Sequence, residues 1–313
     1  MKKHIYIYSP SSAVQDKPAF RRGIARLKTL GYDVEVDEAA LASHQRFAGD
    51  DATRLAAIGR AAASGADIAL ITRGGYGLTR ILDALPYKAL AKSIDRGTEF
   101  VGLSDFTAFQ NALLAKTGAV TWSGPALTGD FGAEAPDDVM EACFGDLIGG
   151  LGEGTGWRLP ARDGDTPVLR GVRDAVLWGG NLSVLNSLLG TPYFPMIEKG
   201  VLFLEDVNEH PYRIERMLDQ LRHAGILARQ RAVVLGSFTG FKKAPHDRGF
   251  SLRTVTERLR ASLKIPVLTS LPFGHVPTKV LLPVGAKVEM ALEGRDVFMM
   301  WGHRHSHGHG HGH

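Results

Sequence analysis

Residues 99–117 read EFVGLSDFTAFQNALLAKT. An apolar run ends at Gly102, Ser104 follows, and Phe106, Phe109, Leu113 and Leu114 then recur at helical spacing. The pattern is a strand, a sharp turn and an amphipathic helix. A serine on such a turn has its hydroxyl held clear of the backbone layer. The peptide N–H groups that open the helix point toward the same spot and can stabilise an oxyanion. That is the logic of a nucleophile elbow, although G-L-S-D-F lacks the second glycine of G-x-S-x-G. Ser104 or Asp105 also reads as a simple helix cap.

On either side of this segment, short apolar runs alternate with helical patterns. Strands are expected at 4–9, 32–36, 68–72 and 100–103, and helices at 17–30, 50–64 and 78–85, the last stopped by Pro86. This βαβα rhythm predicts an α/β fold: an N-terminal parallel-sheet α/β domain over 1–149 that carries Ser104. The stretch 150–165, rich in glycine with Pro, Arg and Asp, reads as a linker. A smaller, mixed, β-rich C-terminal domain is expected over 166–301. Its helices fall near 182–189, 212–224 and 252–263, and its strands gather toward the end. In parallel sheets, ligands bind beyond the carboxyl ends of the strands. Ser104 and the loop Arg73-Gly74-Gly75-Tyr76-Gly77 each follow a predicted strand and should share that edge.

Composition narrows the function classes. The chain has 313 residues, 44% hydrophobic and 22% charged, with a net charge of +4 and scattered Lys and Arg. No nucleic-acid footprint is present. No run approaches bilayer length, and the first apolar run is too short and interrupted for a signal peptide, so a cytoplasmic protein with no membrane partner is expected. Cys143 is the single cysteine, in a helical pattern, and reads as a core residue. The tail over 302–313 places His303, His305, His307, His309, His311 and His313 among small residues. It reads as a metal-binding tail or a leftover of expression design, outside the chemistry.

Three further features can carry chemistry. The glycines of the Arg73–Gly77 loop let backbone approach a ligand. The loop reads as a phosphate loop, an oxyanion hole or a plain turn, and it lacks both the Walker ending and the G-x-G-x-x-G spacing. Glu205 closes the apolar run of LFLEDVNEHPYRIERML, where a carboxylate is costly without a partner and suits the role of orienting a histidine. Asp206 and Glu209 follow, and Glu209 fits a helix-dipole role better. His275, in LPFGHVPTK, is the histidine held between loop-forming residues after a predicted strand, either a general base or a surface residue. The chain order Ser104, Glu205, His275 also occurs in α/β-hydrolases.

Five blocks together, TRGGYGLTRILD, VGLSDFTAFQNAL, WGGNLSVLNSLLGTPYFP, LFLEDVNEHPYRIERMLDQL and LPFGHVPTKVLLPVGAKVEM, resemble the LD-carboxypeptidase family, the muramoyltetrapeptide carboxypeptidases of peptidase family S66. The resemblance runs from about His4 to Trp301. It implies a serine peptidase with Ser104 as nucleophile, His275 as base and Glu205 as its carboxylate, Glu209 being the second candidate. It also implies an active site between two domains, homodimers, and no metal or cofactor. The implied reaction removes the terminal D-alanine from murein tetrapeptide in cytoplasmic cell-wall recycling. Within that reading the oxyanion is expected on backbone N–H groups of Gly75 and Asp105. Gly74 and Tyr76 are expected beside them, and Arg73 is expected to read the terminal carboxylate. Two other readings remain: the microcin-immunity branch of the family, acting on aminoacyl-nucleotide mimics, and a non-catalytic nucleotide- or sugar-binding protein using the glycine loop.

Overall fold

The computed structural model describes residues 2–161, 169, 172–242 and 244–302. The His-rich tail lies outside the described residues. The first half follows the expected alternation. β1 (His4–Tyr8), α1 (Lys17–Thr29), β2 (Asp33–Val36), α2 (Asp51–Ala63) and β3 (Ile68–Ile71) are followed by α3 (Tyr87–Asp95), β4 (Glu99–Gly102), α4 (Phe106–Thr117), β5 (Thr121–Ser123) and α5 (Asp138–Gly149). The chain continues through β6 (Gly154–Arg158), β7 (Val172–Asn181), α6 (Leu182–Ser187), β8 (Val201–Val207), α7 (Pro211–His223), β9 (Ala232–Thr239), α8 (Leu252–Ser262) and β10 (Val267–Leu268). It ends with β11 (Leu282–Val284), β12 (Lys287–Glu293) and β13 (Asp296–Met300).

Two sheets result. The first has the order β2-β1-β3-β4-β5-β11, with every pair parallel except β5–β11. Because the strand order reverses between β1 and β3, a crevice opens beyond their carboxyl ends, and the Arg73–Gly77 loop leaves β3 at that point. The second sheet runs β10-β9-β8-β7-β12-β13-β6. Its β10–β7 half is parallel, and the β7-β12-β13-β6 half is antiparallel. The chain is therefore an α/β protein with one parallel-rich and one mixed sheet.

Four local expectations change. Part of the expected linker is sheet: β6 pairs with β13 along its whole length, and residues 162–165 lie outside the described residues. Its glycines serve packing, because a Cβ on Gly154 would lie 2.4 Å from the Met300 sulfur. The expected helix at 78–85 is two short 3₁₀ turns, Leu78–Arg80 and Leu82–Ala84, and α3 begins only after Pro86. The strand expected near 280–282 is β11, and it completes the first sheet instead of the second. Finally, α4 is not amphipathic. Every residue from Phe106 to Leu114 is buried, because the helix lies between the two sheets, touching β5 and β11 on one side and β7 on the other. A helix covered all round needs no polar face.

Cys143 is half-buried and packs against both core clusters, as a core residue would, and burial pushes its thiol up toward the unreactive form.

Candidate active site

Ser104 sits two residues after the end of β4 and two before the start of α4, with φ at +66°. A non-glycine residue in the left-handed region is strained, and such strain persists where the surroundings over-determine it. Here the surroundings are tight. A Cβ on Gly74 would come within 2.6 Å of the Ser104 Cβ, so only glycine lets the loop after β3 close over the serine. The cap reading does not describe this turn. Asp105 stands at the N-cap position with no side-chain cap hydrogen bond, and its carboxylate points elsewhere. Its Oδ2 accepts from Ser11 Oγ at 2.8 Å and from the Leu78 N–H at 2.9 Å. The buried carboxylate thus clamps the segment after β1 and the end of the glycine loop to the elbow. Desolvation pushes its pKa upward, against those two bonds and the nearby Arg54 and Arg46 charges.

The glycine loop is held from below as well. Gly75 has φ at +109°, and a Cβ there would meet Ser12 Oγ at 2.3 Å. The same hydroxyl accepts from the Tyr76 N–H at 3.0 Å. No described acceptor takes the N–H of Gly75 or of Asp105. Tyr76 faces away: its ring is exposed, 5.8 Å from the Phe47 ring and 5.5 Å from the Arg46 guanidinium carbon, and it does not line the cleft. Arg73 is half-buried on the cleft wall, with Nη1 donating to the Ala13 carbonyl at 3.2 Å.

The acid comes from the second sheet and the imidazole from the loop between β10 and β11. Glu205 is fully buried in β8, where the ladder with β9 slips a register between Leu204 and Asp206. A bulge of this kind re-aims side chains. Glu205 Oε2 lies 2.7 Å from His275 Nδ1, and Oε1 accepts from Asn181 Nδ2 at 3.1 Å. Gly274, with φ at +141°, permits this approach, since a Cβ there would lie 3.3 Å from Glu205 Oε2. Burial alone would lower the His275 pKa, but the Glu205 bond and charge outweigh it and raise the imidazole above its ordinary value. Glu209 instead pairs with Arg213 one helical turn along and makes no bond to His275.

Ser104, His275, Gly74, Gly75 and Arg73 line one cleft of about 830 Å³, whose walls come from both sheets. Several residues of this region carried no signal of their own in the sequence. Asn181 closes β7, and its backbone N–H donates to Thr107 Oγ1 in α4 at 2.9 Å. Its amide also bridges Glu205 and Asp206, the latter at 3.0 Å. Asp206 is buried, and burial pushes its pKa up to about 6. Lys279 and Asp130 form a buried ion pair in the cleft wall. Only the runs WGGN and FLED hinted at polar groups closing apolar strands. Among the described residues no group of three His, Cys, Asp or Glu is placed to hold a metal ion. No described helix is long and apolar enough to cross a membrane.

Comparison with known proteins agrees with this architecture. The LD-carboxypeptidase N-terminal domain matches residues 5–124 and the C-terminal domain of the same family matches residues 174–290. A Bacillus subtilis protein named "Probable murein peptide carboxypeptidase" is 30% identical over 84% of this chain and 81% of its own length. The crystal structure of a muramoyltetrapeptide carboxypeptidase from Oxalobacter formigenes is 40% identical. It covers 96% of this chain and 99% of that one, with a TM-score of 0.85. The Microcin C7 self-immunity protein MccF of Escherichia coli is more distant, 27% identical over 72% of this chain and 71% of its own. With both family domains matched in order and the sheets, elbow and cleft in place, the chain belongs to the LD-carboxypeptidase family of peptidases.

Proposed function

We propose that this protein is a serine carboxypeptidase that removes the terminal D-alanine from murein tetrapeptide, using Ser104, His275 and Glu205. The observation that carries the reading is the 2.7 Å bond between buried Glu205 and His275, on a cleft that the strained Ser104 also lines. With Nδ1 bonded to the carboxylate, His275 has Nε2 available as the base. It takes the Ser104 proton as Oγ attacks the scissile carbonyl. Glu205 fixes the ring and stabilises the imidazolium that forms. The N–H groups of Gly75 and Asp105 receive the oxyanion, and one such donor is worth about 10²–10³ in kcat. The imidazolium then protonates the leaving amine, and water, activated by the same ring, releases the acyl group from Ser104.

The names of the B. subtilis and O. formigenes relatives support a murein peptide as substrate. In this reading the enzyme works in cytoplasmic cell-wall recycling, as a homodimer, and without metal or cofactor. A carboxypeptidase must also recognise a free chain end. The cleft is lined by two cationic side chains, Arg73 and Lys279.

The test is mass spectrometry of murein tetrapeptide incubated with the enzyme. Loss of one alanine is expected with the wild type, and no turnover is expected with a folded Ser104→Ala variant. Wild-type-like hydrolysis by that variant removes Ser104 from the mechanism. The similarity to MccF favours a second substrate class, so an aminoacyl-sulfamoyl nucleotide belongs in the same assay. Faster cleavage of that compound than of tetrapeptide would move the protein to the immunity branch. Ligand binding with no cleavage of either would support a non-catalytic role.

A further inference from the structure

We propose that Lys279, and not Arg73, reads the free carboxylate of the leaving residue, and that this contact restricts cleavage to chain ends. The inference rests on the carboxypeptidase reading above and assigns its specificity.

Lys279 is 3% exposed, yet it lines the catalytic cleft. Its ammonium pairs with Asp130, which lies on a single π-helical turn, Leu127–Phe131, and accepts from the Ala126 N–H at 2.7 Å through its other oxygen. Such turns are rare and recur at functional sites. A buried ion pair is weak evidence of stabilisation, since desolvation offsets most of the attraction, so stability alone does not explain this one. An ammonium has three donors, and Asp130 is the one described partner of Lys279. Its remaining donors have no described partner, in a residue that lines the cleft.

Position decides between the two cations. His275 must hand its proton to the leaving nitrogen, so the leaving residue lies on the imidazole side of the scissile carbon. Its carboxylate is two bonds from that nitrogen. Lys279 is four residues beyond His275 and near enough for its charge to oppose protonation of the ring. Arg73 instead follows β3 beside the glycine loop, and its Nη1 is turned to the Ala13 carbonyl at 3.2 Å. The groups acting on the ring are Glu205 and Asp206 from β8, which favour the imidazolium, and Lys279, which opposes it. A substrate carboxylate seated on Lys279 offsets that opposing charge. Binding a true chain end therefore also strengthens the base, and the discrimination extends to kcat as well as KM.

The test compares a tetrapeptide ending in D-alanine with the same peptide ending in D-alaninamide. Wild type should prefer the acid by about 10²-fold or more in kcat/KM, the worth of a charge-assisted bond. Lys279→Met should lose most of that preference through the acid substrate, and Arg73→Met should keep it. The acid limb of the kcat/KM profile should move to higher pH in Lys279→Met, which a purely structural residue would not do. If Lys279→Met fails to fold, Lys279→Met/Asp130→Asn removes both charges together and is read in its place. Full acid preference in the lysine variants, its loss in Arg73→Met, or equal cleavage of both peptides by wild type overturns the proposal. Cleavage of neither peptide by wild type is a different result, and it overturns the carboxypeptidase reading itself.

Discussion

Ser104 and Glu205 each sit where the backbone is irregular: one at φ +66°, the other opposite a slipped register. The first, just beyond a regular strand, sets Ser104 in the cleft wall, and the second, within β8, sets Glu205 against His275. The imidazole depends most on its neighbour. Buried without a carboxylate, His275 would hold its proton less well than a free histidine, and with Glu205 bonded it holds it better. In the proposed role of general base it must be neutral, so the acid limb of kcat/KM should have its midpoint above the ordinary histidine value of about 6.5. In Glu205→Gln that limb should move to lower pH while kcat falls by about 10²-fold or more. A pH–rate series on the two proteins checks both signs, and an unmoved limb would detach Glu205 from the base.

Between Ser104 and the rest of the first sheet, Asp105 joins the elbow before α4 to the segment after β1 and the loop after β3. Truncating it leaves the Leu78 N–H and the Ser11 hydroxyl buried without their acceptor, and each unsatisfied group costs about 1–3 kcal/mol. Asp105→Ala should therefore lower the urea midpoint by the equivalent of about 2 kcal/mol or more. Because one oxygen takes both bonds, Asp105→Asn can keep them and should recover most of the loss. Equal destabilisation by the two substitutions would mean that the charge, and not the hydrogen bonding, is what matters there. α4 itself works as a spacer. Gly180, where a Cβ would lie 2.6 Å from Thr107 Oγ1, lets β7 close against it, and Asn111 Nδ2 donates to the Gly179 carbonyl at 2.9 Å.

The two sheets are bound into one molecule by more than the chain between them. β11 comes from the far end of the sequence and forms the edge of the first sheet, with Leu282 opposite Ser123. One core cluster holds Phe100 and Phe109 together with Leu177 and Phe203. A hydrogen-bond path also runs from Thr107 through Asn181 and Glu205 to His275, so the packing of the sheets sets the spacing of the site. Shared packing on this extent couples unfolding of the two parts. Far-UV dichroism and tryptophan fluorescence are expected to report a single coincident urea transition. Two separated midpoints would show that the halves unfold independently.

Local pattern alone determined the alternating strands and helices, the elbow at Ser104, the glycine loop beyond β3 and the candidacy of Glu205 and His275. Each of these is written in adjacent residues through apolar periodicity, turn chemistry and the cost of a carboxylate in an apolar run. Where a helix was stopped by a proline or a strand was rich in glycine, the same signals misled. Residues 78–85 made two turns, and the glycines of β6 served close packing and not a linker. Tertiary structure decided which half completes the first sheet, why α4 has no polar face, and which carboxylate meets the imidazole. It also brought Asn181 to Glu205, set Lys279 and Asp130 in the cleft wall, and gave the Asp105 side chain its bonds to Ser11 and Leu78. Those facts depend on groups far apart in sequence whose energies exist only once water is excluded from between them, and no short-range pattern encodes a contact of that kind.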